Sequence, residues 1–456
     1  MTSGLLLFNL ILAIAIIIAG IVVLKLNPSI SLIVASIVLG IMSGFTSLET
    51  AEIISTGFGD MMISIGLPVG FGVILGQLMS ETGCAEVIAD SILKVFKGRA
   101  AIFGVAFAGL VLTIPVFFDV AVIILMPIAM AVSKKTEKPL PLVIGFLVMG
   151  SAIGQSLIPP TPNPLAAAEI FGFDVGIMLI VGIIVGAITC FLSCIVYNKL
   201  FNTKGFWKPE KDENIAFKSI EENIESHNVS NVEKRPNALI AFLPIVVPVA
   251  CILMGTLGNA MFDENPPELM LFLGNKVIAM LLGAIVSYII GWKYLGRERS
   301  DEAASRGLAT AGMVLLITGA GGSFGSVIKA TDIGNVLVSS LGIDTGNSVA
   351  ILLFAYCVGM VFRVAQGSGT VAGITSMQIM ASMSSMIHIH PVYVAIACLA
   401  GGNSIGHVND SGFWVSTNLA GFKVTGGLKT YTTGIFITSI FELLIVIIAA
   451  LIFPAI

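Results

Sequence analysis

Long apolar runs alternate with short polar intervals along this chain. Apolar segments cover roughly 5–24, 30–45, 58–80, 100–133, 141–172 and 176–201. After a polar gap they resume at roughly 238–257, 270–292, 308–329, 348–387, 391–421 and 432–454. A helix crosses the hydrocarbon core of a bilayer with about 20 apolar residues. The pattern therefore predicts an all-α polytopic membrane protein. The opening stretch, MTSGLLLFNLILAIAIIIAG, has no basic flank and is longer than the apolar core of a secretion signal. It reads as a retained spanning helix.

Two kinds of segment do not fit simple spans. Residues 100–133 lie between two basic loops and offer 34 positions, whereas two full spans need about 40. A re-entrant hairpin with its tip near Pro115–Asp119 fits the length. Residues 141–172 are apolar enough to cross once but contain Ile158-Pro-Pro-Thr-Pro-Asn-Pro164. Proline lacks the N–H and disfavours helix at the preceding residue, so this helix must break. A second break is expected at Gly406-His-Val-Asn-Asp-Ser-Gly412.

The two halves resemble each other. A shift of 249 residues lays LGQLMSETGCAEVIADSIL (75–93) over FGSVIKATDIGNVLVSSLG (324–342), and a slightly larger shift lays GSAIGQ (150–155) over GNSIGH (402–407). By this repeat 348–387 should form a hairpin like that of 100–133. Lys and Arg collect in loops on the cytoplasmic side. That rule places Lys97–Arg99, Lys134–Lys138, Lys293–Arg306 and Lys423/Lys429 inward, and Thr46–Thr56, Phe171–Gly176, Met261–Glu268 and Gly342–Gly346 outward. Each inward loop of one half matches an outward loop of the other. The expected organisation is two inverted-topology repeats, 1–202 and 237–456, with re-entrant hairpins and broken transmembrane helices. Between them, 203–236 holds 13 charged residues of mixed sign in 34 positions, and reads as a charged cytoplasmic linker. Its Asn228-Val229-Ser230 sequon is read as chance.

Composition narrows the class further. The 456 residues are 56% hydrophobic and 11% charged, with 49 Gly, 19 Met and 3 Trp. Soluble proteins carry about 25% charged residues. The net charge of −4 argues against nucleic acid as a partner. The six cysteines sit inside apolar runs without metal-ligand spacing and read as small buried hydrophobes. Four His, with no HExxH, GxSxG or GxxxxGK[ST] pattern, give little support to an enzyme or an ATP-driven pump. Gly319–Gly325 satisfies GxGxxG but no strand precedes it, so close helix contact is the better reading.

Backbone freed from helix at membrane depth is tolerated where it lines a cavity, and secondary transporters place substrate there. Arg363 is the foremost candidate. It stands in an apolar run with no acid within about fifteen residues, and its guanidinium can fork onto a carboxylate. The alternative is an Arg pinned by a buried acid. Gln366, Ser368 and Thr370 follow at the hairpin tip, as readers of substrate hydroxyls or as tip caps. Asp119 and Asp410 are candidates for carrying a coupling proton or holding Na+, the alternative being a fixed partner for Arg363. His407, in the second break, is either a proton relay or a neutral hydrogen-bonder. Asn409, Ser411, Gln155, Ser156, Thr161 and Asn163 are candidate polar liners. No cofactor and no metal site are expected.

The stretches GAGGSFG (319–325), RVAQGSGTVAG (363–373), GHVNDSGFW (406–414) and LIPPTPNPLAAA (157–168) resemble the gluconate permease family of the ion-transporter superfamily, over nearly the whole chain. The resemblance implies a bacterial inner-membrane symporter coupling protons to a small hydroxylated carboxylate: gluconate, related sugar acids, or D-serine in some members. It also implies a scaffold and a mobile transport domain, elevator-type alternating access and a homodimer in lipid. The chain departs from the family pattern at Gln155 and Thr161, where His often stands, and at Asn163, where Gly does. Those departures leave a smaller hydroxy acid such as glycerate or hydroxybutyrate open as substrate. A passive organic-anion channel is the alternative function.

Overall fold

A computed structural model describes residues 3–214, 235–262, 266–331, 333, 336, 347–383 and 387–455. Most of the charged linker, its sequon and the Gly342–Gly346 loop lie outside these residues. The described elements are helical, and nine helices among them are long and apolar enough to cross a membrane. Large apolar side chains such as Phe8, Ile184, Phe191, Leu243, Ile289 and Ile448 stand exposed on their outer faces, as a lipid-facing surface requires.

In chain order the first half runs α1 (Ser3–Val22), α2 (Pro28–Met42), the long α3 (Ser47–Glu81), α4 (Cys84–Val95), α5 (Ala101–Leu112), α6 (Phe118–Thr136), α7 (Leu140–Leu157), α8 (Pro162–Phe171) and α9 (Val175–Phe201). After the short α10 (Pro209–Asp212) come α11 (Ala238–Met261), α12 (Glu268–Gly274), α13 (Lys276–Tyr294) and the long α14 (Arg297–Ala330). Then follow α15 (Ser348–Gln366), α16 (Gly369–Ala381), α17 (Pro391–Gly402), α18 (Ser411–Leu419) and α19 (Val424–Ile452). A π-helical turn, Leu428–Thr432, lies near the start of α19.

The expected hairpins are both present. α5 and α6 meet at a tip over residues 113–117, and α15 and α16 at Gly367-Ser368. The expected breaks are present too, at 158–161 between α7 and α8 and at 403–410 between α17 and α18. α5 has 12 residues and rises about 18 Å, which is too short to cross. Long helix, hairpin, broken helix and final long helix thus recur in the same order in both halves. α3 packs along α14 at the centre, α13 packs on α3, and α2 packs on α14.

Glycines let the hairpins close on the broken helices. A Cβ at Gly150 of α7 would overlap the Ala106 carbonyl of α5, and one at Gly401 of α17 would overlap the Tyr356 carbonyl of α15. The GxGxxG stretch of α14 does the same against α3, with Gly322 seated on the Gly57 carbonyl. α7 and α17 become the core of the molecule: Pro141–Leu157 is buried throughout except at Gln155, and Val392–Gly402 is buried without exception.

At one end the visible start of the linker is strapped to the body. Glu213 bridges Phe422, the Lys423 amide donates to the Asp212 carbonyl (2.9 Å), and Lys429 pairs with the buried Asp212 carboxylate at 2.6 Å. Linker and basic loop therefore share one end, as the positive loops predicted. Asp212 lies outside the spans. Burial works against its charge, but the Lys429 ammonium and the Lys208 amide outweigh it and hold the carboxyl below the usual carboxylate range.

Candidate functional site

A cavity of about 670 Å³ opens where the two hairpin tips and the second break meet α2, α3 and α14. Among the helix N-termini that reach it are those of α6, α16 and α18, because proline, glycine and Asx residues end the preceding backbone just there. Each start is capped from nearby. Gln155 Oε1 accepts from the Phe118 amide (2.7 Å), Ser368 Oγ from the Val371 amide (3.4 Å), and Asp410 Oδ1 from the Gly412 amide (2.9 Å). Helix starts of this kind favour anions.

At the centre of the cavity wall built by the second half stands Arg363, 3% exposed. Its Nη1 donates to the Gly367 carbonyl, and Nη2 to Asp410 Oδ2 and, at 3.3 Å, to the Tyr431 hydroxyl. Nε has no partner among the described residues. Tyr431, held in the π turn, donates its hydroxyl to the same Asp410 oxygen. Gly406 is required beside this pair, since a Cβ there would overlap Arg363 Nη2. Gly367 turns the hairpin tip with φ of +84°, a value that suits glycine, and a Cβ on it would run into the Asn409 carbonyl. Across the cavity Asp119, half-buried at the start of α6, accepts from the Ser411 hydroxyl at 3.4 Å.

Of the residues singled out in the sequence, Arg363, Ser368, Thr370, Asn409, Asp410, Ser411, Asp119, Gln155, Ser156 and Asn163 all line this cavity. Asn163 is 7% exposed, and its Oδ1 has no hydrogen-bond partner among the described residues. Asn409 turns its amide to the Val364 carbonyl (3.0 Å). Two expected residues stand aside. Thr161 caps locally on the Ile158 carbonyl (2.8 Å) and lines a small neighbouring crevice. His407 places Nε2 3.2 Å from the Val364 carbonyl and is not a lining residue. Gln366 closes α15, and its side chain lies outside the described residues.

Tyr431 and Asn403 line the cavity without having been singled out. Asn403 ends α17, and its buried Nδ2 lacks a partner among the described residues. A tyrosine within a Gly-, Lys- and Thr-rich stretch just before an apolar run was the available signal. A π turn near a site is its usual structural companion.

Comparison with known proteins identifies the family. The GntP family permease model matches residues 5–452. The chain belongs to the GntP permease family. It is a multi-pass membrane protein and not an enzyme. The permease is 28% identical over 455 residues to the gluconate permease of Pseudomonas aeruginosa, covering 97% of this chain and 98% of that one. It is 26% identical over 440 residues to the D-serine transporter DsdX of Escherichia coli, covering 95% and 96%. Among solved structures, Neisseria gonorrhoeae MtrF, described as illuminating a class of antimetabolite efflux pumps, superposes with a TM-score of 0.63 at 15% identity, over 91% of this chain and 94% of that chain. This last likeness supports the fold.

Proposed function

We propose that the permease is a secondary active symporter that takes up a small hydroxylated carboxylate together with a proton across the inner membrane. The observation that carries this reading is the charge set of the cavity: one buried cation, Arg363, already paired with Asp410, and a second acid, Asp119, facing it. A carboxylate arriving at Arg363 adds a third negative charge to a site at membrane depth, where unpaired charge is costly. A proton on Asp410 or Asp119 removes that cost. Protonated Asp410 releases Arg363, whose guanidinium and the α16 and α18 amides then hold the substrate carboxylate. Ser368, Thr370, Asn163 and Asn403 are left to read the hydroxyls. Names of relatives for gluconate and D-serine transport support the same substrate class.

The remaining parts of the reading follow the same lines. The cavity sits at the boundary between α2, α3 and α14 and the body formed by hairpins and broken helices. That boundary supports an elevator in which the body moves against a scaffold; the reading also takes the halves as inverted repeats and, from its charge, the linker as cytoplasmic, and, with the family, the molecule as a homodimer in lipid. Uptake of labelled D-gluconate into proteoliposomes under an imposed inward proton gradient, without Na+, tests the function. Accumulation above equilibrium that collapses with a protonophore is expected. Flux that only equilibrates would establish the passive channel, and dependence on added Na+ would replace the proton. No gluconate uptake by folded protein moves the test to glycerate, hydroxybutyrate and D-serine.

A further inference from the structure

Away from the cavity, α19 carries an acid that the cycle above does not use. Glu442 is fully buried, and neither carboxyl oxygen has a hydrogen-bond or ion-pair partner among the described residues. An unpartnered carboxylate is among the costliest groups a span can hold, and a leucine would fill the same space without that cost. Its surroundings connect it to the site. Ser439, one turn before Glu442, shares a 2.9 Å hydrogen bond with Tyr356. Tyr356 is itself buried and lies within electrostatic reach of Glu442. Tyr356 also precedes Arg363 by seven residues, so the two share a face of α15 about 10 Å apart. Around Glu442 the helices α7, α9, α15 and α17 present no second acid. Their bases are Lys199 and Arg363, and their other titratable groups are tyrosine and cysteine side chains, Tyr356 foremost.

We infer that Glu442 is a proton-exchanging group of the transport cycle, standing one polar tier beyond the cavity. In this conformation it holds a proton. When the hairpin and α19 shift, the Glu442 O–H breaks, the proton leaves by way of the Tyr356 hydroxyl, which gives one as it takes one, and Asp410 receives it. Glu442 is left as the carboxylate and Asp410 as the acid, with charge conserved.

This inference rests on the symport reading, and the test separates the two. Wild type and Glu442→Gln are reconstituted, and three quantities are measured with the hydroxy acid that the wild type accumulates among D-gluconate, glycerate, hydroxybutyrate and D-serine. These are counterflow at equal pH, substrate-driven proton flux, and accumulation under a gradient of about one pH unit. One coupled proton contributes about tenfold accumulation per pH unit. Glu442→Gln is expected to keep counterflow within about twofold of wild type and to lose about tenfold in accumulation, with proton flux per substrate falling in step. Wild-type flux and accumulation in Glu442→Gln overturn the inference alone. No proton flux in the wild type overturns the symport reading and the inference with it. Should Glu442→Gln lose counterflow, Glu442→Leu decides. Counterflow with defective accumulation supports the inference, whereas wild-type accumulation, or loss of counterflow in both variants, makes the residue structural and overturns it.

Discussion

On the wall built from residues 101–171, the polar groups facing the cavity are Asp119, Gln155, Ser156 and Asn163; on the wall built from residues 348–431 they include Arg363, Ser368, Thr370, Asn403, Asp410 and Tyr431. The scaffolding elements correspond: a hairpin tip and a broken helix on each side, each closed by a glycine contact. The chemistry does not correspond. The second wall concentrates charge and pairs it, with Arg363, Asp410, Tyr431 and the Gly367 carbonyl bound to one another. The first wall is mostly neutral, and Asn163 Oδ1 is buried there without a partner among the described residues. The same order of elements in the two halves thus supplies two sets of helix starts, and in the proposed function their side chains divide the labour between anchoring a carboxylate and reading what surrounds it.

The largest effect should follow from emptying the charged wall. Arg363→Ala is expected to abolish substrate binding. It removes the carboxylate anchor and strands Asp410, a loss of about 3–5 kcal/mol for a buried pair. Wild-type affinity by equilibrium binding would refute the assignment. Arg363→Lys should not rescue it, because an ammonium lacks the fork that serves Asp410, Gly367 and Tyr431 together. Next in size, Asp410→Asn should leave counterflow in place but cut gradient-driven accumulation to the equilibrium level. Unchanged accumulation would remove Asp410 from coupling.

Substitutions on the neutral wall should change selection more than affinity. Asn163→Gly is expected to lower discrimination between a hydroxy acid and its deoxy analogue by about 1–3 kcal/mol, the cost of a buried group losing its partner. Competition of unlabelled analogues against labelled substrate reads this ratio; an equal loss for both compounds would move Asn163 to the anchoring side. Tyr431→Phe removes one hydrogen bond to Asp410 and should slow uptake a few-fold, in line with about 0.5–1.5 kcal/mol.

The smallest effect belongs to the strap at 207–214. Asp212 titrates below its unfolded value because Lys429 and the Lys208 amide favour its charge against burial. Its contribution is therefore complete above the unfolded value, near 4, and is lost as pH falls through the lower folded value. Tryptic cleavage at Lys204 and Lys211, divided by the rate on an unstructured peptide at the same pH, should accordingly be slow and flat from about pH 6 to 8 in the wild type. Asp212→Asn should cleave faster across that range, and equal rates would show that the strap does not depend on this pair.

Much of this architecture is legible in the chain. The hairpin tip near Pro115, the break at Ile158–Thr161 and the second break before Ser411 follow from local rules: clustered X-Pro steps or a run of Gly, Asn and Asp end a helix where the single prolines Pro68, Pro127, Pro244 and Pro248 do not, and 34 apolar residues between same-side loops cannot cross twice. Ten of the candidate site residues line one cavity because polar side chains at membrane depth have few other places to go. Thr161 and His407 stand aside because a hydroxyl or an imidazole can also be satisfied by a backbone carbonyl within its own break or on the hairpin tip opposite, and the sequence does not distinguish these outcomes.

The apolar stretches, their interruptions and one arginine inside an apolar run are readable from the chain alone, since each depends on residues close together in it. The tertiary structure alone decided that Arg363 is paired with Asp410, 47 positions away, that Tyr431 joins them from a π turn, and that Glu442 has no partner among the described residues. A polar residue in an apolar run announces only a cost. Which distant group meets that cost depends on how helices pack, and here glycines at Gly150, Gly401 and Gly406 set the approach.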